Sequence, residues 1–275
     1  RLADARAAAD AALAVDAEHG PTRELVAAMV ECAQVYADEA TNLGLLGMHL
    51  DAASNLSHAV SLSPADTGLR VRRGGALRQG GRHEEAVVVL EEAIALAGRG
   101  GYPAARRLLS LAYNDVGIAR AAAGLTDEAL QWMNRAIESM DERCAESPTL
   151  YLNRGDLLHR INRPVDALRD YECASKLCVA DPQLAWSVRG KMAVLHNDAG
   201  TAHFNRTQAR HAALSFSRAI DCNPKVAQFY VNRAEATLAL SRFELARDDA
   251  LAALKLDPSH ARAKELLARL CPGAA

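Results

Sequence analysis

The sequence predicts an all-α protein, an α-solenoid of tandem antiparallel helical hairpins, and three observations carry that expectation. Ala5, Ala52, Ala86, Ala129, Ala167, Ala212 and Ala246 are each followed seven residues later by a second alanine, at Ala12, Ala59, Ala93, Ala136, Ala174, Ala219 and Ala253. A tyrosine stands sixteen residues before the first alanine of a pair at Tyr36, Tyr113, Tyr151 and Tyr230. Pro21, Pro64, Pro103, Pro148, Pro182, Pro224 and Pro258 fall between the implied units, where a missing backbone donor does least harm. Two antiparallel helices approach closely only where side chains are small, and a ring from the first helix fills the space beside them. Half of the residues are apolar but only 4% are aromatic, a composition suited to many closely packed helices.

Taken in order, residues 2–18 read as a leading helix, the second half of a hairpin whose first half lies upstream. The start at Arg1-Leu2 accordingly reads as the start of a segment. Hairpins are expected at about 22–64, 67–98, 104–142, 148–180, 183–224 and 227–258. Residues 259–270 form an amphipathic helix that caps the last apolar face. Pro164 falls in a turn inside a hairpin, and Gly98-Arg-Gly-Gly-Tyr-Pro103 is the one loop soft enough to be a hinge.

The spacings between successive marker alanines are 47, 34, 43, 38, 45 and 34, so longer units alternate with near-standard ones. The longer units carry Asp38, Asp115 and Asp198 fourteen residues before the marker, and the shorter ones Arg73, Arg154 and Arg233 thirteen before it. Asn114-Asp-Val-Gly117 parallels Asn197-Asp-Ala-Gly200, and Tyr151-Leu-Asn-Arg154 parallels Tyr230-Val-Asn-Arg233. The expected organisation is a leading helix (1–20), three hairpin pairs (21–98, 99–181 and 182–258), and a capping helix with its tail (259–275).

Phe229-Tyr-Val-Asn-Arg-Ala-Glu-Ala through Leu256-Asp-Pro258 has the aromatic, the paired small residues and the closing proline of one unit, and it resembles a tetratricopeptide repeat. The resemblance recurs along the chain and implies a right-handed superhelix whose inner face is lined by first helices. On that face it puts a partner-binding groove of Arg78, Asn114, Leu152, Asp156, His159, Arg160, Asn197, Thr201, Phe204, Val231, Asn232 and Glu235. Apolar and uncharged polar side chains predominate there, which suits a peptide or helix segment of another protein. Several of these residues are equally expected to pack against the next repeat.

The chemistry of the remaining residues is sparse. A net charge of -2 and a pI near 6.5 give no electrostatic case for nucleic acid or an anionic membrane surface. No apolar run reaches the eighteen residues of a membrane span. The six cysteines form no C-x-x-C pair and read as reduced thiols in a reducing compartment. There is no phosphate-binding glycine loop and no H-E-x-x-H, and His196 and His203 share a helix face without an evident third ligand. No cofactor, no metal and no enzymatic activity are expected. Arg154 and Asp170, like Arg233 and Asp249, stand sixteen apart and read as interhelix ion pairs, which contribute little where they are exposed. Arg73 has Val89 in place of such an acid and is expected to reach Asp38 or Asp115.

Ala112-Tyr-Asn-Asp-Val-Gly117, Leu150-Tyr-Leu-Asn-Arg-Gly-Asp156, Asn223-Pro-Lys-Val-Ala-Gln-Phe-Tyr230 and Leu267-Ala-Arg-Leu-Cys-Pro-Gly273 resemble the tetratricopeptide repeat protein sixteen family over about residues 104–273. That family is associated with cilia and sperm flagella. The resemblance implies a non-catalytic cytoplasmic scaffold within a larger axonemal or cytoskeletal assembly. The alternative is a soluble co-chaperone adaptor holding partner peptides in the same groove. Against it, Asn197 and Thr201 with Arg262 and Leu266 replace most of the cationic clamp around Asn232 that chaperone-binding repeats use.

Overall fold

The computed structural model describes residues 1–98, 102–140, 147–178 and 180–270. Among them there is no strand, and fourteen helices follow one another: α1 Leu2–Val15, α2 Gly20–Leu45, α3 His49–Leu62, α4 Thr67–Gln79, α5 His83–Ala97, α6 Pro103–Ala122, α7 Thr126–Ser139, α8 Ser147–Arg160, α9 Pro164–Leu177, α10 Pro182–Asn205, α11 Ala209–Cys222, α12 Ala227–Ala239, α13 Phe243–Leu256 and α14 Ala261–Leu270. The chain is an all-α array of helical hairpins, as its alanine register predicts. It forms two compact units, Arg1–Asn153 and Arg154–Ala275, divided within α8. The centre of the expected hinge (99–101), Cys144, and the end of the family resemblance from Cys271 onward lie outside the described residues.

From α3 onward, every paired alanine is buried, most with no exposed surface at all. Ala5 and Ala12 match the register yet are exposed, and in α1 only Ala9 is buried.

The uneven spacing of the units has a single physical source. The first helices α2, α6 and α10 are 26, 20 and 24 residues long, against 13, 14 and 13 for α4, α8 and α12. All six end seven residues before their marker alanine, as Leu45 does before Ala52 and Asn205 before Ala212. The added residues therefore sit entirely at the N-terminal ends of the long helices, leaving each hairpin junction unchanged. Proline and aspartate start these helices where the sequence places them. Asp181 accepts from the amides of Gln183 and Leu184, with Pro182 at the first helical position. Pro164 likewise opens α9.

Each hairpin turn is built on one left-handed residue five positions before the marker alanine. Gly47, Gly81 and Gly124 have φ of 77°, 79° and 80°, and Asn162, Thr207 and Ser241 have φ of 60°, 59° and 61°. The amide that follows each of them returns to a carbonyl in the last turn of the first helix, as Arg82 N–H does to Leu77 and Gln208 N–H to His203. A β-branched residue at positive φ is strained. Thr207→Gly is therefore expected to stabilise the chain by about 1 kcal/mol, read as a rise in the urea midpoint without a change in slope. Gly81→Thr should move it by a similar amount in the opposite direction.

The hairpins close on complementary sizes. Twelve residues before the marker stand Gly74, Gly117, Gly155 and Gly200, and a Cβ on each would lie 2.5, 2.8, 2.7 and 2.5 Å from Leu90, Met133, Tyr171 and Phe216, respectively. Those four large side chains all occupy the fourth position after the marker. In the last hairpin the same two positions hold Ala234 and Ala250, both fully buried. Four hairpins thus set a bulky side chain on the second helix against glycine on the first, whereas the α2–α3 hairpin sets Leu56 against Ala40, both buried.

Candidate functional site

The first helices present a face on which polar side chains bridge each helix to the next first helix. In the first unit Arg72 reaches from α4 to Thr41 Oγ1 of α2 at 2.6 Å. Arg78 of α4 pairs with Asp115 of α6 at 2.9 Å, and Asn153 Nδ2 donates to Asn114 Oδ1 at 3.1 Å. In the second unit Lys191 of α10 pairs with Asp156 of α8 at 2.9 Å. Asn232 Nδ2 of α12 donates to Asn197 Oδ1 of α10 at 2.7 Å, and Arg262 of α14 pairs with Glu235 of α12 at 2.5 Å. The two asparagine bridges occupy equivalent positions in equivalent helices. The repeated Asn-Asp and Asn-Arg quartets of the sequence mark these contacts between repeats.

Most residues assigned to the groove are therefore engaged with the protein itself. Val231 is 1% exposed and lies in the core with Ala246 and Leu266, so its side chain is not on the face. Asn114 is buried beneath its bridge. Phe204 packs half-buried against the cluster of Ala212, Phe216 and Ala236. Leu152 is half-buried, whereas His159, Arg160 and Thr201 are exposed, with the Thr201 hydroxyl donating to the Asn197 carbonyl.

In the second unit Asp156, His159, Tyr171, Lys191 and Val194 line a cavity of about 320 Å³. Asp156 accepts from the Tyr171 hydroxyl at 2.7 Å as well as from Lys191. Burial and that acidic acceptor push the Tyr171 phenol well above its usual range. Val194 on the rim is 47% exposed. The cavity thus combines a fixed charge pair, a neutral phenol and an exposed apolar rim, a set that can hold a peptide side chain and its backbone polar groups.

Both expected interhelix ion pairs form, and their carboxylates are buried. Arg154 grips Asp170 at 2.8 and 2.6 Å, and Arg233 grips Asp249 at 2.9 and 2.6 Å, both bidentate. Asp170 and Asp249 are 4% and 7% exposed, so these are buried pairs within hairpins. Arg73 meets neither expected acid, because Arg78 holds Asp115 and Gln34 holds Asp38 at 2.6 Å; its Nε is buried without a partner. A further cluster joins Tyr113 to Glu91 and Arg135, and burial with the Glu91 carboxylate raises the Tyr113 phenol to about 12. Sequence spacing gave no warning of this contact between α5, α6 and α7.

Among the described residues no three His, Cys, Asp or Glu side chains come together as a metal set. Cys32, Cys173, Cys178 and Cys222 are free thiols, and burial raises the last two. No described helix is long and apolar enough to cross a membrane.

Residues 197–261 match the family model described as tetratricopeptide repeat. Over 266 residues, 95% of this chain, the sequence is 29% identical to tetratricopeptide repeat protein 16 of Homo sapiens and covers 29% of it. It is 26% identical over 264 residues to the protein of that name from Mus musculus, covering 95% of this chain and 33% of that one. The chain therefore spans about a third or less of the length of these curated relatives. Among solved structures, the C-terminal part of a TPR repeat-containing protein from Cytophaga hutchinsonii aligns with a TM-score of 0.49 at 17% identity, covering 95% of this chain and 99% of that one. The TPR2AB-domain complex of yeast Sti1 with pHSP90 aligns at 0.42 and 19% identity, covering 87% of this chain and 83% of that one.

Proposed function

We propose that this array of tetratricopeptide repeats is a non-catalytic scaffold that docks peptide or helix segments of other proteins on its first-helix face. The observation that carries the reading is pre-organisation. Side-chain pairs hold each first helix to the next, so the exposed His159, Arg160, Val194 and Thr201 sit on a framework that need not be ordered when a partner arrives. The resemblance of residues 104–273 to a cilia-associated family supports the narrower reading, a structural or adaptor component of an axonemal assembly. A bridged, alanine-tight stack suits holding filament-bound proteins at fixed spacing.

The experiment is fractionation of ciliated cells expressing the tagged chain, carried through detergent and then high salt, with photo-crosslinking from the exposed position 160. Retention with the demembranated axoneme is expected, together with crosslinks to axonemal neighbours. His159→Ala with Val194→Asp should reduce the crosslinks about tenfold while moving stability by no more than about 0.5 kcal/mol, since both residues are exposed. Release into the soluble fraction together with a heat-shock chaperone would overturn the axonemal reading and favour the adaptor one.

A further inference from the structure

A second cavity, of about 590 Å³, lies away from the first-helix pairs, between the second helices α11 and α13 and the end of α12. Arg210, Leu214, Leu240, Arg242 and Leu245 line it, with the Arg233–Asp249 pair at its base. Leu214 and Leu245 are 53% and 50% exposed, so the apolar part of the wall is open to solvent.

Its charges are unbalanced in a specific way. Asp249 is held by two nitrogens of Arg233, and Asp248 lies 3.7 Å from Arg247, which pairs more closely with Glu244 at 2.6 Å. Arg210 and Arg242 make no ion pair among the described residues. For Arg242 the cause lies in the sequence. The equivalent residues of two other hairpins, Arg82 and Arg163, each pair with an acid three positions on, Glu85 and Asp166. Three positions after Arg242 stands Leu245. Arg210 stands in the first turn of α11 with Ala213 and Leu214 one turn on, so its own helix supplies no acid beside it either. Two exposed guanidinium groups without acid partners thus flank exposed leucines around a cavity of ligand size.

We infer that this cavity is a docking site for an acidic linear peptide of a partner protein, with an aliphatic side chain seated between Leu214 and Leu245 and flanking carboxylates on Arg210 and Arg242. Arginine favours carboxylate through its paired donors, and removing both charge and water at once makes the apolar contact specific for an acidic neighbour. The site uses none of the side chains of the first-helix face, so it allows the scaffold to hold two partners.

The test is fluorescence anisotropy of the intact chain with a labelled eight-residue peptide of alternating glutamate and leucine. Its controls are the lysine–leucine and glutamate–serine versions. Binding of the glutamate–leucine peptide at least tenfold tighter than either control is expected, falling in 0.5 M salt as screened charge contacts must. Arg210→Glu with Arg242→Glu should weaken it tenfold or more without moving the melting temperature, because both arginines are exposed. Leu245→Asp should do the same, and His159→Ala with Val194→Asp should leave binding unchanged. Equal affinity for the lysine peptide, or unaltered affinity in the double arginine variant, overturns the site. Loss of binding in the His159 and Val194 variant also overturns it, by assigning the peptide to the first-helix face.

Discussion

Arg154→Met is expected to cost about 3–5 kcal/mol, because it leaves the Asp170 carboxylate buried without its counter-charge. Asp170 is only 6% exposed at its side chain, and both of its oxygens are taken by Arg154, so water cannot replace the lost donors without opening the hairpin. Urea unfolding measures the loss directly as a fall in midpoint. Replacing both members, Arg154→Met with Asp170→Leu, should recover most of it, since an apolar pair of similar volume carries no desolvation penalty. The same contrast is expected for Arg233→Met against Arg233→Met with Asp249→Leu. If the single and double variants lose equal stability, the pair acts through packing of the arginine stem and not through charge.

Gly200→Ala is expected to cost about 1–3 kcal/mol. The new Cβ would sit 2.5 Å from a ring carbon of Phe216, and that ring is 2% exposed and closed in by Ala212 and Ala236. The ring cannot swing away, so the two helices must separate. Phe216→Leu in the same chain should relieve the clash, making the double variant more stable than the sum of the single losses predicts. Ala234 facing Ala250 shows that the last hairpin already accepts a methyl group at this position once the opposing side chain is small. Additive losses in calorimetric melting would refute the steric coupling.

The hairpins were legible in the sequence because their closure depends on residue size at fixed intervals, and alanine at those intervals leaves a mark that survives changes in unit length. Gly117 and Gly200 were visible as repeated letters, and pairing each with the large residue sixteen positions later would have revealed the size rule. The strength of the arginine–aspartate pairs was not legible. Spacing shows that two charges meet, but their burial depends on the neighbouring hairpin. Arg73 failed for a related reason, since Arg78 and Gln34 compete for its acids from positions that only the folded helices bring within reach. On the first-helix face the sequence assigned Asn197 and Asn232 to partner binding, but their bond to each other, and the depth of Val231, depend on the rotation of one helix against the next.

Length at the head of the long first helices is decoupled from the hairpin joints, and this makes reach an independently adjustable quantity. A residue added there moves the helix tip by about 1.5 Å and turns it by about 100°, while every contact at the joint stays in register. Relative to the 13-residue first helices, α6 and α10 gain seven and eleven residues, close to two and three whole turns of about 3.6 residues, whereas α2 gains thirteen and falls between three and four turns. Whole turns return the apolar stripe to the side from which it started, so the projecting ends keep facing their own stack. Extension by turns changes how far such an arm reaches and leaves its orientation unchanged; a gain of five or nine residues would roll the stripe toward solvent.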